Sequence, residues 1–265
     1  MSDSTYKVPT MQEMSAKGEA PEVLFWVGCA GSFDDRYKAV TIAFTKILNK
    51  VGINFAVLGP EESCTGDPAR RAGNEFLFQM QAMSNIQVLD GYNIKKIVTA
   101  CPHCFNTIKN EYPELGGNYE VMHHSQFLQG LINEGKVTLK DGGEFKGRKI
   151  TFHDSCYLGR ANGVYEAPRD VIKALDAELV EMKRCKTKGL CCGAGGAQMF
   201  KDAEKGNKEI NIERTEEALD TGAEVIAAGC PFCMTMMTDG VKNKEREHNV
   251  KVFDLAELIA KNQGL

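Results

Sequence analysis

A chain of 265 residues, 43% of them hydrophobic, can bury one large core or two modest ones. Its 32 basic and 36 acidic residues leave a formal net charge of −4 and no broad basic footprint, which counts against nucleic acid as a partner. Apolar stretches such as Val23–Val27 and Val225–Ala228 fall far short of the roughly 18 residues of a membrane span, and the polar Met1–Ala20 lacks a secretion signal's apolar core. The expectation is a cytoplasmic protein without a direct membrane span, reaching a membrane only through a partner.

Short β-branched runs alternate with longer helical patterns, the mark of a parallel α/β fold. After an N-terminal arm over residues 1–20, the order is strand Val23–Val27, helix Arg36–Lys50, strand Ile53–Leu58 and helix Ala69–Leu89. Strand Lys96–Thr99, helix Pro102–Glu111, strand Tyr119–Met122 and helix Ser125–Asn133 complete a first domain, residues 21–134. A linker over 135–147 has Asp141-Gly142-Gly143 as its turn signal. The second domain, 148–265, repeats the pattern: strand Lys149–Phe152, helix Tyr165–Ala174, strand Glu178–Glu181 and helix Asn207–Asp220. Strand Glu224–Ala227, helix Pro231–Lys242, strand Val250–Phe253 and helix Leu255–Lys261 follow. The fold class is therefore α/β, with two pseudo-symmetric lobes from an internal duplication, each a small parallel sheet flanked by helices.

The cysteines carry the same duplication. Cys29 and Cys64 recur 127 residues later as Cys156 and Cys191, and Cys101 and Cys104 recur 129 residues later as Cys230 and Cys233. Copy two adds Cys192 beside Cys191. Cys29, Cys101, Cys156 and Cys230 each follow a strand, and ligands collect beyond the carboxyl ends of strands in open parallel sheets. Cys101-Pro102-His103-Cys104 and Cys230-Pro231-Phe232-Cys233 also open helices, where free N–H groups favour the thiolate. In a cytosolic chain such clusters read as metal-binding or redox-active rather than as a disulfide framework.

Three chemistries compete. A metal-free dithiol enzyme would use either Cys-x-x-Cys pair but leaves the other cysteines in register without purpose. A zinc-stabilised binding scaffold suits the four cysteines of copy one but not the five of copy two. Two neighbouring thiolates are awkward on one tetrahedral ion and natural on a cluster of several metals. The ligand count therefore favours a cluster of several metals in copy two.

The order Cys156, Cys191-Cys192-Gly193, Cys230-Pro231-Phe232-Cys233 resembles the CCG domain. That domain defines the B subunit of heterodisulfide reductase and relatives, including glycolate oxidase and lactate-utilisation iron–sulfur subunits. The resemblance covers residues 23–260 or so and occurs twice. It implies a non-cubane [4Fe-4S] cluster on Cys156, Cys191, Cys192, Cys230 and Cys233, in an electron-transferring oxidoreductase subunit. It also implies a redox partner bearing ferredoxin-type clusters or flavin, with a quinone-linked module or a disulfide as acceptor. Copy one departs from the pattern: Cys64-Thr65-Gly66 sets Thr65 opposite Cys192. Its Cys29, Cys64, Cys101 and Cys104 suffice for a second [4Fe-4S] cluster, with zinc as the alternative, and the departure counts against a two-cluster disulfide mechanism.

Gly193, Gly195 and Gly196 are expected to let backbone pack against the cofactor and to offer N–H groups to its sulfurs. No Gly-x-Gly-x-x-Gly or Walker pattern supports a nucleotide loop. His103 and His153 are candidates for hydrogen bonds to the ligands or proton movement, as well as for plain polar packing. Arg70 or Arg71 could screen cluster charge or simply start a solvated helix. His123-His124 reads as structural, Trp26 as core, Met234, Met236 and Met237 as packing, and Cys185 as a lone thiol.

Overall fold

The computed structural model describes residues 6–139, 143–202 and 205–265; Asp141 and Gly142 of the expected linker turn lie outside them. Each sequence repeat builds one all-parallel, four-stranded sheet. Strands β1 (Val23–Trp26), β2 (Phe55–Ala56), β3 (Lys96–Thr99) and β4 (Glu120–His123) take the order β2-β1-β3-β4. Strands β5 (Lys149–Phe152), β6 (Glu178–Leu179), β7 (Val225–Ala228) and β8 (Lys251–Asp254) take the matching order β6-β5-β7-β8. Registers agree as well: Leu24 sits opposite Ile97, and its counterpart Thr151 opposite Ile226. All four residues of β1 and of β7 are buried because helices cover both faces, as parallel sheets require.

In chain order the helices are α1 (Met11–Ala16), α2 (Gly28–Phe33), α3 (Asp35–Lys50), α4 (Asp67–Arg71), α5 (Glu75–Gly91) and α6 (Pro102–Asn106). They continue as α7 (His124–Asn133), α8 (Glu166–Lys173), α9 (Ile210–Leu219), α10 (Pro231–Asn243) and α11 (Leu255–Gln263). The duplicated α/β architecture is thus the one the alternation of strand and helix patterns implies.

The differences are local and have physical causes. The N-terminal segment is not an extended arm throughout. Thr10 and Glu13 form a capping box that starts α1, whose Met11 and Met14 are buried beside the first sheet. Helix Ala69–Leu89 divides into α4 and α5 at Gly73, whose φ of +88° suits glycine, and Asn74 caps α5 by accepting from Leu77 N at 3.1 Å. The helix from Pro102 widens into a π turn over Thr107–Glu111. Edge strands β2 and β6 shorten to two residues, each pairing with its central neighbour at two positions only, whereas edge strands β4 and β8 keep four.

The lobes share one apolar core, in which Phe25, Phe44 and Leu128 meet Ile150, Phe152, Val171, Ile226 and Leu258. Helix α3 packs on α11, and α7 packs on α8, contacts that the repeat makes equivalent. Polar groups tie the same seam. His124 Nε2 lies 2.8 Å from Asp254 Oδ1, and His123 Nε2 lies 3.0 Å from the Gly229 carbonyl, so the two histidines are structural. Met234 and Met237 are buried in this core.

Within the second lobe α9 and α10 approach closely at Gly240. A Cβ there would come within 2.8 Å of Thr215 Cβ and 3.2 Å of the Asn211 carbonyl. Gly240→Ala is therefore expected to destabilise the chain by about 1–3 kcal/mol despite alanine's better helix propensity. Chemical denaturation checks this, and a neutral or stabilising result would show that the two helices slide apart at little cost.

Candidate metal centre

In each sheet the chain runs from its first strand to one neighbour and then crosses to the other side, so the order reverses between β1 and β3 and between β5 and β7. A crevice opens beyond the carboxyl ends of strands at such a point. Cys29 and Cys101 follow β1 and β3 there, and Cys156 and Cys230 follow β5 and β7. Cys101 and Cys230 are the N-caps of α6 and α10, each with proline in the first turn.

In the second lobe five thiols are gathered as neighbours. Cys191 lies next to both Cys156 and Cys192. Cys233 Sγ donates to Cys192 Sγ at 3.4 Å, and Cys230 pairs with Cys233. Gly193, at a φ of +92°, turns the chain so that its N–H meets Cys191 Sγ at 3.3 Å. That turn lets the adjacent thiols serve the same place. At Gly195 and Gly196 a Cβ would stand in open space, so of the three glycines it is Gly193 whose N–H meets a cysteine sulfur. Cys185 stands apart, near Glu181, Arg169 and Asp154.

The first lobe repeats the arrangement with four sulfurs. Cys29 pairs with Cys64, and Cys101 with Cys104. Gly66 N donates to Cys64 Sγ at 3.4 Å, the counterpart of Gly193 on Cys191. Thr65 stands where Cys192 does: its hydroxyl lies 3.9 Å from Cys104 Sγ, as Cys192 faces Cys233. Glu62 accepts from Val27 N at 3.0 Å and Gly28 N at 2.6 Å, which orders the turn before Cys29; burial raises its carboxyl to about 7. One thiol of each strand-end pair takes the negative charge readily. Cys64 is pulled down to about 6, first by the Cys29 hydrogen bond and, against burial, by Gly66 N–H. Cys191 is likewise pulled down by Cys156, then Cys192, with Gly193 N–H helping.

The two sets face one another across the seam. Pro231 and Phe232 of the second Cys-Pro-x-Cys wall the pocket that contains Cys29, Cys64, Cys101 and Cys104. Phe232 meets its own counterpart, His103, edge to face at 5.0 Å, and Tyr157 lies against His103 at 4.4 Å. His103 Nδ1 lies 2.8 Å from Asp67 Oδ2, and Asp67 accepts from Arg71 Nε at 3.0 Å. The same imidazole lies beside Cys230 of the other lobe. Burial opposes its charge, yet Asp67 and Cys230 hold its pKa well above the usual histidine value. Arg70 and Arg71 are committed to Glu111 rather than left free, Arg70 at 2.9 Å.

Behind the second lobe's sulfurs lie buried charges that sequence reasoning passed over. Arg169 forms a bidentate pair with Asp154 at 2.8 and 2.9 Å, and Asp154 also accepts from Lys186 N at 2.6 Å. Arg214 donates to His153 Nδ1 at 3.0 Å. The available signal was an arginine on an otherwise inward helix face: Arg214 shares a stripe with the buried Asn211, Thr215 and Ala218. Tyr157 had no comparable signal, since its contact with His103 crosses to the other lobe, and Asp67 had none, since its partner His103 lies 36 residues along the chain.

The residues suit an iron–sulfur group. The donors are thiols, largely buried, with backbone N–H groups aimed at sulfur in both lobes, and His153 Nε2 is a buried polar atom without a partner among the described residues.

Comparison with known proteins agrees with this geometry. The model of the CCG cysteine-rich domain matches the chain twice, over residues 23–109 and 150–238. A probable iron-sulfur-binding oxidoreductase FadF of Bacillus subtilis is 48% identical over 257 residues, 97% of this chain and 36% of that protein. EtfAB:quinone oxidoreductase of Syntrophomonas wolfei is 48% identical over 250 residues, 92% of this chain and 35% of its own length. One subunit of the dihydromethanophenazine:CoB–CoM heterodisulfide reductase of Methanosarcina barkeri is 33% identical over 255 residues, 92% of this chain and 59% of its own length. The chain thus spans about a third of the length of the first two relatives.

Proposed function

We propose, from the premise that this chain belongs to the CCG family of cysteine-rich domains, that it is an iron–sulfur electron-transfer subunit of an oxidoreductase complex. On this reading Cys156, Cys191, Cys192, Cys230 and Cys233 hold a [4Fe-4S] cluster of the non-cubane kind. Cys29, Cys64, Cys101 and Cys104 hold a second metal group, iron–sulfur ahead of zinc. The observation that carries the reading is the gathering of five neighbouring thiols in the second lobe, with Cys192 and Cys233 at 3.4 Å. A single tetrahedral ion takes four ligands, so a fifth thiol in the same set favours a multinuclear group.

When bound, such a cluster supplies reversible one-electron reduction. The chain's own residues hold it and shape its surroundings. Gly66 and Gly193 aim N–H groups at cysteine sulfur, and the rings of Tyr157, His103 and Phe232 pack the space between the sites. The protein is read as cytoplasmic; among the described residues no helix is long and apolar enough to cross a membrane. Further redox groups, ferredoxin-type clusters or flavin, belong to a partner subunit or neighbouring domain, consistent with the relatives' greater length. The acceptor is a quinone-linked module or a disulfide.

Metal and sulfide analysis of anaerobically purified protein tests this. About four or eight irons per chain with matching acid-labile sulfide is the expected result. Zinc without sulfide, after attempted cluster reconstitution, would overturn it and leave a binding scaffold.

A further inference from the structure

His153 is 1% exposed and closes the carboxyl end of β5, three residues before Cys156. Its Nδ1 receives the Arg214 Nε–H at 3.0 Å. A guanidinium has donors and no acceptor, so Nδ1 must present its lone pair, and the proton of the neutral ring resides on Nε2. Arg214 is itself held by the Arg184 carbonyl at 2.7 Å and Glu217 at 3.0 Å, so this tautomer is imposed by a fixed partner. Nε2 has no hydrogen-bond partner among the described residues. A ring nitrogen of His153 and the sulfurs of Cys192 and Cys233 all lie within 4.8 Å of one another, and Nε2 is the nitrogen left free.

The other lobe repeats the device with a different residue. Trp26 holds the equivalent position, three residues before Cys29, is fully buried, and packs with Cys101 and Cys104. Its indole Nε1–H, a donor only, is likewise without a partner. Buried donors are normally paired, so two equivalent orphans beside two equivalent sulfur sets point to acceptors that arrive with the cofactor.

We propose that His153 donates its Nε2–H to sulfur of the second-lobe cluster, as a positioning residue and not a ligand, with Arg214 fixing its tautomer and Trp26 filling the same place in the first lobe. Ligation through Nε2 would need a lone pair there, hence a proton on Nδ1 directed at the Arg214 N–H or loss of both ring protons. The inference rests on the iron–sulfur reading above. A donor to cluster sulfur stabilises the more negative, reduced state, so His153 raises the potential of its cluster.

Three measurements test this. In metal-free protein, nitrogen NMR of the histidine side chains reports the tautomer: a proton on Nε2 is expected, and one on Nδ1 overturns the proposal whatever metal is later found. In cluster-loaded protein labelled with nitrogen-15 histidine, pulsed electron paramagnetic resonance should show a weak coupling. A strong coupling would make His153 a ligand, and none would remove the contact; either overturns the proposal without any mutation. Finally, His153→Phe should lower the midpoint potential of the second-lobe cluster at unchanged iron content, and His153→Gln, which restores an N–H, should recover most of the shift. Equal potentials in both variants and the parent protein overturn it. If the parent protein takes up no iron or sulfide, the iron–sulfur reading itself fails and the acceptor with it, a result distinguishable from an unchanged potential.

Discussion

Cys192→Ala is expected to abolish the five-thiolate signal of the second lobe while leaving the first lobe's spectrum and metal untouched. Cys192 is buried and its Sγ meets Cys233 at 3.4 Å, so truncation removes a sulfur from inside the contact set rather than from its rim. The fold itself supplies a gentler variant. Thr65 occupies the equivalent place in the first lobe, with its hydroxyl 3.9 Å from Cys104 Sγ and the same glycine turn beside it. Cys192→Thr should therefore cost little stability and convert the second lobe to the four-thiolate type, so that the two lobes become spectroscopically alike. Iron analysis and electron paramagnetic resonance of both variants, compared with the parent, check this. Unchanged spectra and iron content in Cys192→Ala would remove Cys192 from the cluster.

The contrast between these two positions also marks what a sequence can disclose. The duplication was legible because it is written in sulfur spacing, and spacing survives where most side chains have diverged: Thr65 against Cys192 and Gly66 against Gly193 align by offset alone. The central strands were legible because burial on both faces demands unbroken apolar runs, as in Val225–Ala228. Edge strand β2 was read too long because nothing in Ile53–Leu58 announces that pairing stops at Ala56. Helices α1 and α2 were not legible: each has six residues, too few for a helical period, and α1 is held by contact with Val57. His103 and Phe232 align by offset, but their meeting at 5.0 Å follows from how the lobes turn toward each other, which no spacing records. The same holds for Glu62, whose role lies in the distant N–H groups of Val27 and Gly28.

Arg169→Met is expected to destabilise the protein by about 3–5 kcal/mol, because it strands a charge where water cannot reach it. The Arg169 side chain is 1% exposed and that of Asp154 4%. The guanidinium gives two hydrogen bonds to Asp154, at 2.8 and 2.9 Å, two to Glu181, at 2.6 and 2.9 Å, and one to the Tyr165 carbonyl at 2.8 Å. With the arginine gone, Asp154 keeps the Lys186 N–H but loses its counter-charge, and it stays buried. Glu181, a third exposed, can turn to solvent and contributes less. Adding Asp154→Asn to Arg169→Met should recover part of the loss, since the neutral amide costs less to bury, and a double-mutant cycle measures the coupling. Arg36→Met is the control: Arg36 bonds Glu257 just as closely, at 2.6 and 2.8 Å, but its side chain is 41% exposed, so about 1 kcal/mol or less is expected. A loss at Arg169 no larger than at Arg36 would refute a desolvated pair. The difference matters for the metal centre because Asp154 lies two residues before Cys156 and tethers the Lys186 turn that leads to Cys191. Loosening it frees the backbone that sets two of the five sulfurs, so Arg169→Met should release the second lobe's metal on warming before the first lobe's, an order of loss that a general weakening of the shared core would not produce.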